Sequence, residues 1–158
     1  INNLLGTDIS REDMVTIALR ALKAKNVNLF YKSEAIKFAD EGAIAPYAKE
    51  AVTELCRAGI VNGVTENEFA PDESITREQI AAIMMRYAVY KGMDALTLEE
   101  NLHFADANEI SEYAVSSMNW AVGKGLINGK SESTLAPKDN ATRIEVAAIL
   151  HRFVGSNK

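Results

Sequence analysis

The chain has 158 residues, of which 47% are apolar, and it carries a formal net charge of −5. This length and composition are sufficient for a folded domain with a hydrophobic core. The negative charge argues against a nucleic-acid-binding protein, because such proteins need a basic surface. No apolar run approaches the ~20 residues of a membrane helix, so we expect no membrane insertion. The single cysteine, Cys56, cannot form an intrachain disulfide.

The first clear helix signal begins at Ser10, which is a typical N-cap residue, and Asp13 follows three positions later. Apolar residues then recur at helical spacing and predict a stripe that faces the core: Met14, Ile17, Ala18 and Ala21. Arg11 stands in the first turn, where the positive end of the helix dipole disfavours a cation. This arginine therefore needs an explanation beyond helix formation.

The next predicted helix opens at Pro46, because proline suits the first turn of a helix. It ends at Gly59, a typical C-cap residue. A loop rich in Asn, Gly, Pro and acidic residues follows, and it includes Gly63 and Thr65. This loop lacks the ligand pattern of a calcium-binding loop, and the two histidines are not spaced as a metal pair. We expect neither a metal site nor a cofactor.

Three more helices complete the prediction. One begins after Thr76, with Gln79 as its reciprocal residue; one runs from near Ser111 to Gly125; and the last begins after Thr142. The first and last of these carry stripes that match the first helix: Ile80, Ile83, Met84 and Tyr87, then Val146, Ile149, Leu150 and Phe153. No convincing strand appears, so the predicted fold class is all-α without a significant sheet.

An internal period of 66 residues organises these elements. Phe-Ala-Asp occurs at Phe38 and at Phe104, and "GIVNG" is matched by "GLING". The helix-start arginines Arg11, Arg77 and Arg143 keep the same spacing. The sequence therefore predicts one domain, residues 1–158, made of tandem helix–loop–helix repeats. Residues 1–30 are the second half of repeat one, residues 31–96 repeat two and residues 97–158 repeat three, so the chain is expected to begin mid-unit.

A second series with the same spacing is formed by Arg20, Arg86 and Arg152. We expect these side chains to have structural partners and consider Asp40 and Asp106 as candidates. Trp120 has no aromatic counterpart in repeat two, and we interpret it as a core or surface residue rather than as a platform for a sugar.

These motifs resemble the S-layer homology domain of bacterial cell-surface proteins. The resemblance rests on "FAD", "GIVNG" and the Thr-Arg helix starts, in order over nearly the whole chain. It implies a pseudo-threefold helical bundle and an extracellular location at the cell wall or S-layer. It also implies non-covalent anchoring to a secondary cell-wall polysaccharide that bears a ketal-linked pyruvate, bound in grooves between repeats. We expect such a module to be monomeric.

The chemistry of the motif suits an acidic sugar. A helix N-terminus offers free N–H groups, and an arginine there adds a fork that fits a carboxylate. We therefore predict that Arg11, Arg77 and Arg143 bind the ligand and that the caps Ser10, Thr76 and Thr142 support them. Further predicted ligand-binding residues come from the loops: Gly63, Thr65, Gly129, Lys130 and Ser131.

Details of these loops leave some roles open. The glycines serve either turn geometry or close approach of a sugar, and Lys130 would make the groove of Arg77 the more cationic. Arg143 would need a turn upstream of the chain. No nucleophile motif is present and no acidic residue interrupts an apolar stripe, so we expect no catalytic residues and no enzyme. The alternative function is a protein–protein adaptor on the cell surface.

Overall fold

The structure is a computed structural model that describes residues 5–93 and 103–156. Two compact units divide the chain. One unit consists of residues 9–74, and the other consists of residues 1–8 together with residues 75–158.

The unit of residues 9–74 contains two packed α-helices, α1 (Arg11–Ala24) and α2 (Lys49–Arg57). Two short 3₁₀ turns precede α2, Glu41–Ala43 and Pro46–Ala48. Pro46 occupies the first turn, as its missing N–H predicts. The chain leaves α2 through Gly59, whose φ of +78° is accessible to glycine at little cost. The N–H of Ile60 then donates to Leu55 O at 3.0 Å and completes the predicted glycine cap.

The other unit repeats this arrangement and adds a helix. It contains α3 (Arg77–Tyr90), α4 (Val115–Gly123) and α5 (Arg143–Ser156), with 3₁₀ turns at Ala107–Glu109 and Glu112–Ala114. Helices α3 and α4 pack on each other. Gly125, with φ +72°, ends the α4 region as Gly59 ends α2.

The all-α fold class is confirmed for the residues that the structure describes. Their only β-type pairings are isolated bridges, which join Asp8 to Thr142, Ser10 to Ser74 and Thr76 to Asn140. In the same parts of the chain, no helix has both the length and the apolar character that crossing a membrane requires. The threefold arrangement, the single domain and the repeat boundaries stay predictions.

The predicted core stripes are confirmed in α3 and α5. In α3, Ile80, Ile83, Met84 and Tyr87 are all buried. In α5, Val146, Ile149 and Phe153 are buried and Leu150 is half-buried.

The stripe predicted in α1 is only partly right. Met14 is buried, but Ile17, Ala18 and Ala21 are half-buried. Val15 and Leu19 are buried in their place. The buried face of α1 differs from the predicted apolar stripe because it includes the polar residues Arg11 and Glu12. Both side chains bind main-chain atoms elsewhere in the unit.

Trp120 is a core residue, as predicted. Its side chain is 3% exposed, and its ring packs edge-to-face against Phe153 with 6.2 Å between ring centroids. A ring in this position is not available as a platform for a sugar.

Candidate ligand-binding site

The three predicted caps begin α1, α3 and α5. The hydroxyl of Ser10 accepts the N–H of Asp13 at 3.2 Å, and that of Thr76 accepts the N–H of Gln79 at 3.3 Å. Thr142 accepts the N–H of Glu145 at 3.2 Å. Gln79 and Glu145 also return a side-chain oxygen to the cap N–H, which completes a capping box in α3 and α5. Each cap fixes the direction in which the following arginine leaves the helix.

Arg11, the first residue of α1, is 4% exposed and binds the loop that follows α2. Its Nε donates to Phe69 O at 2.9 Å and its Nη2 to Asn62 O at 2.8 Å. The guanidinium carbon also lies 4.9 Å from the centre of the Phe69 ring, within range of a cation–π contact. The loop between these acceptors carries the predicted site residues Gly63 and Thr65. We call Arg11, Asn62, Gly63, Thr65 and Phe69 the Arg11 cluster.

Arg77, the first residue of α3, binds the loop after α4 in the same way and is also 4% exposed. Its Nε donates to Leu135 O at 3.1 Å and its Nη2 to Asn128 O. A third bond is added here, because Nη1 donates to Glu145 Oε2 at 2.8 Å. The loop carries the predicted ligand residues Gly129, Lys130 and Ser131. The residues of this site are together called the Arg77 cluster: Arg77, Asn128, Gly129, Lys130, Ser131, Leu135 and Glu145.

The two loop glycines are required by the chain's own packing. A Cβ on Gly63 would lie 2.5 Å from Glu68 O and 2.7 Å from Phe38 Cε1. A Cβ on Gly129 would lie 2.5 Å from both Ser131 O and Phe104 Cε1. Side-chain carbons do not approach other atoms this closely, so turn geometry already explains both glycines. The same contacts explain the phenylalanine of the repeated Phe-Ala-Asp motif, because its ring packs against the glycine of the turn.

The loop hydroxyls shape the turns and remain at the surface. Thr65 Oγ1 accepts the N–H groups of Asn67 and Glu68 at 3.2 and 3.0 Å. Ser131 Oγ accepts those of Ser133 and Thr134 at 3.3 and 3.0 Å. Both residues are exposed. Because a hydroxyl both donates and accepts, each keeps a hydrogen that a sugar oxygen can accept.

The extra cation of the Arg77 cluster is already paired. Lys130 Nζ lies 3.2 Å from Asp139 Oδ2, and both side chains are well exposed. An exposed pair of this kind contributes little to stability. It does offset the positive charge that the sequence predicts at this groove.

Asp40 and Asp106 hold the loops from the other side. Asp40 accepts the N–H groups of Phe69 and Ala70 at 2.9 and 2.8 Å. Asp106 accepts those of Leu135 and Ala136 at the same two distances. These bonds support Ala70 and Ala136, which have positive φ of 58° and 53°, a conformation that is costly for alanine.

In the second arginine series, Arg152 has a structural partner as predicted, but this partner is a main-chain oxygen and not one of these aspartates. Their carboxylates bind backbone N–H groups, and Arg152 Nη1 donates to Leu126 O at 3.4 Å. Main-chain N–H groups fixed in a loop can bind a carboxylate without the entropic cost of ordering a long side chain.

The electrostatics follow this geometry. Burial acts to raise the pKa of Asp40, but the hydrogen bonds from Phe69 and Ala70 outweigh it, with a smaller contribution from Arg11, and the pKa is lowered. The bonds from Leu135 and Ala136 lower the pKa of Asp106, and Arg77 adds to the effect. Both carboxylates are therefore charged at neutral pH. At each cluster, the same loop is therefore bound by an arginine of the cluster and by an aspartate outside it.

Two buried glutamates, which the sequence analysis does not identify, also bind main-chain N–H groups. Glu12 Oε1 accepts the N–H of Ala45 at 2.8 Å, and Glu78 Oε1 accepts that of Ser111 at 3.0 Å. Both side chains are buried and hold the entry to the next helical segment. The available signal was the 66-residue match between Glu12 and Glu78 directly after the arginines. In repeat three the position holds Ile144, which is 52% exposed.

Arg143 shares the backbone contact of the other two arginines. Its N–H donates to Thr7 O at 3.0 Å, as those of Arg11 and Arg77 donate to Glu73 O and Asp139 O at 2.8 and 3.0 Å. Its side chain is half-buried. A ligand-binding role for Arg143 stays a prediction. In the described ranges no group of His, Cys, Asp and Glu could hold a metal ion.

Comparison with known families decides what kind of module this is. A family model described as the S-layer homology domain matches residues 37–81 and again residues 103–147. The chain belongs to the S-layer homology domain family. Each match contains a Phe-Ala-Asp motif, a glycine turn and one helix-start arginine, Arg77 or Arg143.

Several bacterial proteins resemble this S-layer homology chain. An endoglucanase of Bacillus sp. (strain KSM-635) is 31% identical over 95% of the chain and 16% of its own length. A surface-layer 125 kDa protein of Lysinibacillus sphaericus is 30% identical over 75% of the chain and 9% of its own length. A cellulosome-anchoring protein of Acetivibrio thermocellus is 26% identical over 92% of the chain and 32% of its own length. The chain thus spans less than a third of each of these relatives.

Family membership assigns the chain to the bacterial cell surface and to anchoring there. The S-layer homology domain is a binding domain and not a catalytic one. The relatives named as enzymes match over a small share of their length, so their activities do not transfer to these residues.

Proposed function

We propose that the chain holds its parent protein to the cell wall non-covalently, by binding a secondary wall polysaccharide that carries a ketal-linked pyruvate. The observation that carries this proposal is the twofold occurrence of one arrangement. In both clusters a helix-start arginine is fixed against a glycine turn that presents an exposed hydroxyl. The arginine would meet the pyruvate carboxylate, and Thr65 or Ser131 would meet sugar hydroxyls.

The donor geometry of Arg77 supports this role. Nε, Nη1 and Nη2 each donate one hydrogen bond to the protein. Nη1 and Nη2 each carry a second hydrogen, so among the described contacts the guanidinium group retains donors for an external carboxylate. A charge-assisted bond of this kind is shorter and stronger than a neutral one.

The burial of the arginines limits how the ligand would bind. At 4% exposure, Arg11 and Arg77 present very little surface to solvent. The sugar ring would therefore rest on the exposed loop residues, and only its acidic substituent would reach the arginine. Selectivity for a small projecting carboxylate, such as a pyruvate ketal, follows from this shape.

The two aspartates that bind the loops are not suited to general acid catalysis. Asp40 and Asp106 each accept two backbone N–H groups. Those bonds favour the charged form, which leaves no proton for general acid catalysis.

Isothermal titration calorimetry with a methyl glycoside of pyruvylated N-acetylmannosamine tests the proposal. We expect binding of the free acid and loss of roughly tenfold or more in affinity for its methyl ester, because a charged hydrogen bond is worth about 1.5–3 kcal/mol. The same sugar without the ketal serves as a second control. Equal affinity for acid and ester would contradict a carboxylate-binding role.

A sedimentation assay separates anchoring from the adaptor alternative. The chain should co-sediment with purified cell-wall sacculi and lose this property once the wall polysaccharide is removed. An adaptor would bind a surface protein equally well after that removal.

A further inference from the structure

The Arg77 cluster contains charged contacts within the protein. In the Arg77 cluster, Glu145 Oε2 accepts a hydrogen bond from Arg77 Nη1 at 2.8 Å. The residue 66 positions before Glu145 is Gln79, which carries no charge. Lys130 and Asp139 add a second ion pair, so both cations of this cluster face a carboxylate of the protein itself.

Glu145 is the more exposed member of the Arg77–Glu145 pair. The Arg77 side chain is 5% exposed, whereas that of Glu145 is 25% exposed. Glu145 is therefore more accessible to an external anion than the guanidinium group that it binds. Its carboxylate occupies a position on Nη1 that a ligand carboxylate would also take.

Glu145 is ionised at neutral pH. Burial acts to raise its pKa, but the N–H of Thr142 and the guanidinium group of Arg77 outweigh it and lower the pKa. A fixed negative charge beside the arginine repels a second carboxylate.

We propose that Glu145 sets the affinity of the Arg77 cluster for an acidic ligand, as an internal carboxylate that competes for the guanidinium group. The proposal rests on the ligand class given under Proposed function and adds the residue that tunes its binding. Glu145 acts on the ligand through Arg77 and so is a specificity-determining residue of this site. We therefore expect the Arg77 cluster to bind the acidic ligand more tightly when residue 145 carries no charge.

Glu145→Gln is a conservative test, because the chain already contains the glutamine version of this helix start. Gln79 Oε1 accepts the N–H of Thr76 at 3.0 Å, and the hydroxyl of Thr76 accepts the N–H of Gln79. We therefore expect the variant to keep the α5 cap. Circular dichroism and the melting temperature check this directly.

Calorimetric titration with the pyruvylated N-acetylmannosamine glycoside gives the decisive comparison. We expect Glu145→Gln to bind about tenfold more tightly than the unmodified chain at one class of site. Glu132→Gln is the matched control: it removes the same charge from the exposed loop of the Arg77 cluster, and its affinity should stay within about twofold. The gain should vanish when Arg77→Gln is added, because the coupling passes through that guanidinium group.

The outcomes separate the two proposals. If the unmodified chain binds the glycoside and Glu145→Gln binds it equally or more weakly, the competitor role of Glu145 is overturned and the anchoring proposal stands. A gain of equal size in Glu132→Gln would also overturn it, since the effect would then be general electrostatics. If neither protein binds the acid, both proposals fail.

Discussion

At the residue scale, the central observation is that a buried cation is held by main-chain oxygens. Arg11 and Arg77 each donate to two loop carbonyls and stand at a helix start, where the dipole alone disfavours them. The carbonyl oxygens and the nearby aspartate offset that cost. The burial of the two arginines is therefore explained by their bonds to the loops. A ligand would bind to an arrangement that already exists without it.

Substitution of Gly63 tests the packing role of the turn. Gly63→Ala should destabilise the fold by about 1–3 kcal/mol, because its Cβ would overlap Glu68 O and the Phe38 ring. Urea denaturation gives the free energy of unfolding. Gly42→Ala is the control, since a Cβ at Gly42 meets nothing within 4 Å. If the two variants are equally stable, the glycine at position 63 serves ligand approach rather than packing.

Asp40 gives a prediction in pH. Its pKa is lowered below its ordinary value of 3.8, so its contribution to stability is present above that pH and is lost as the pH falls through the lower, folded-state value. Asp40→Asn should therefore melt at a lower temperature than the unmodified chain at pH 7, and the difference should shrink towards pH 2. Thermal melts across this range measure it. A difference that is constant with pH would mean that charge is not what Asp40 contributes.

At the element scale, helix starts and two of the three core stripes follow from local patterns. A cap residue with its reciprocal partner three positions later defines where α3 and α5 begin. Helical spacing of apolar residues then identifies their buried faces. Both signals lie within one or two turns of chain, which is why sequence alone reveals them.

The contacts that build the site do not have such a local signature. Arg77 and Leu135 are 58 residues apart, and the acceptor is a carbonyl that every residue possesses. Asp106 likewise binds main-chain N–H groups about thirty residues away, so no side-chain pairing rule could assign it. The buried face of α1 has the same origin, because Arg11 and Glu12 are buried by bonds to distant backbone. The sequence predicts Arg11, Arg77 and the loop residues as a site, but it does not predict the main-chain atoms that the two arginines bind.

The core assignment of α3 predicts a large effect for one of its residues. Ile83, which is 6% exposed, should cost about 2–5 kcal/mol when truncated to alanine. Val89→Ala on the same helix is the control: its side chain is 56% exposed, and the change should stay within about 0.5 kcal/mol. Chemical denaturation of both variants decides it, and similar losses for the two would show that this face of α3 is misassigned.

At the scale of the whole molecule, a net charge of −5 does not favour an acidic polymer. Recognition must then depend on a few fixed donors and not on a general field. The described units fit this requirement, since in each a helix-start arginine and an aspartate bind the same loop. The pairing of Lys130 and Glu145 with partners of opposite sign keeps the Arg77 cluster close to neutral.

The arginines of α1 and α3 bind the loops through main-chain oxygen atoms, and this has a consequence for how such modules diversify. A carbonyl group is the same whichever side chain accompanies it. The two loops can therefore differ in sequence, with Val64 in one at the position of Lys130 in the other and Glu73 at the position of Asp139, while both keep the bond from the arginine to the main chain. After a duplication, the side chains of the turn can therefore change in each copy without loss of the bonds between arginine and carbonyl. We expect a chimeric protein that exchanges one copy for another to keep these arginine–carbonyl bonds as long as the arginine and the backbone of the turn are retained.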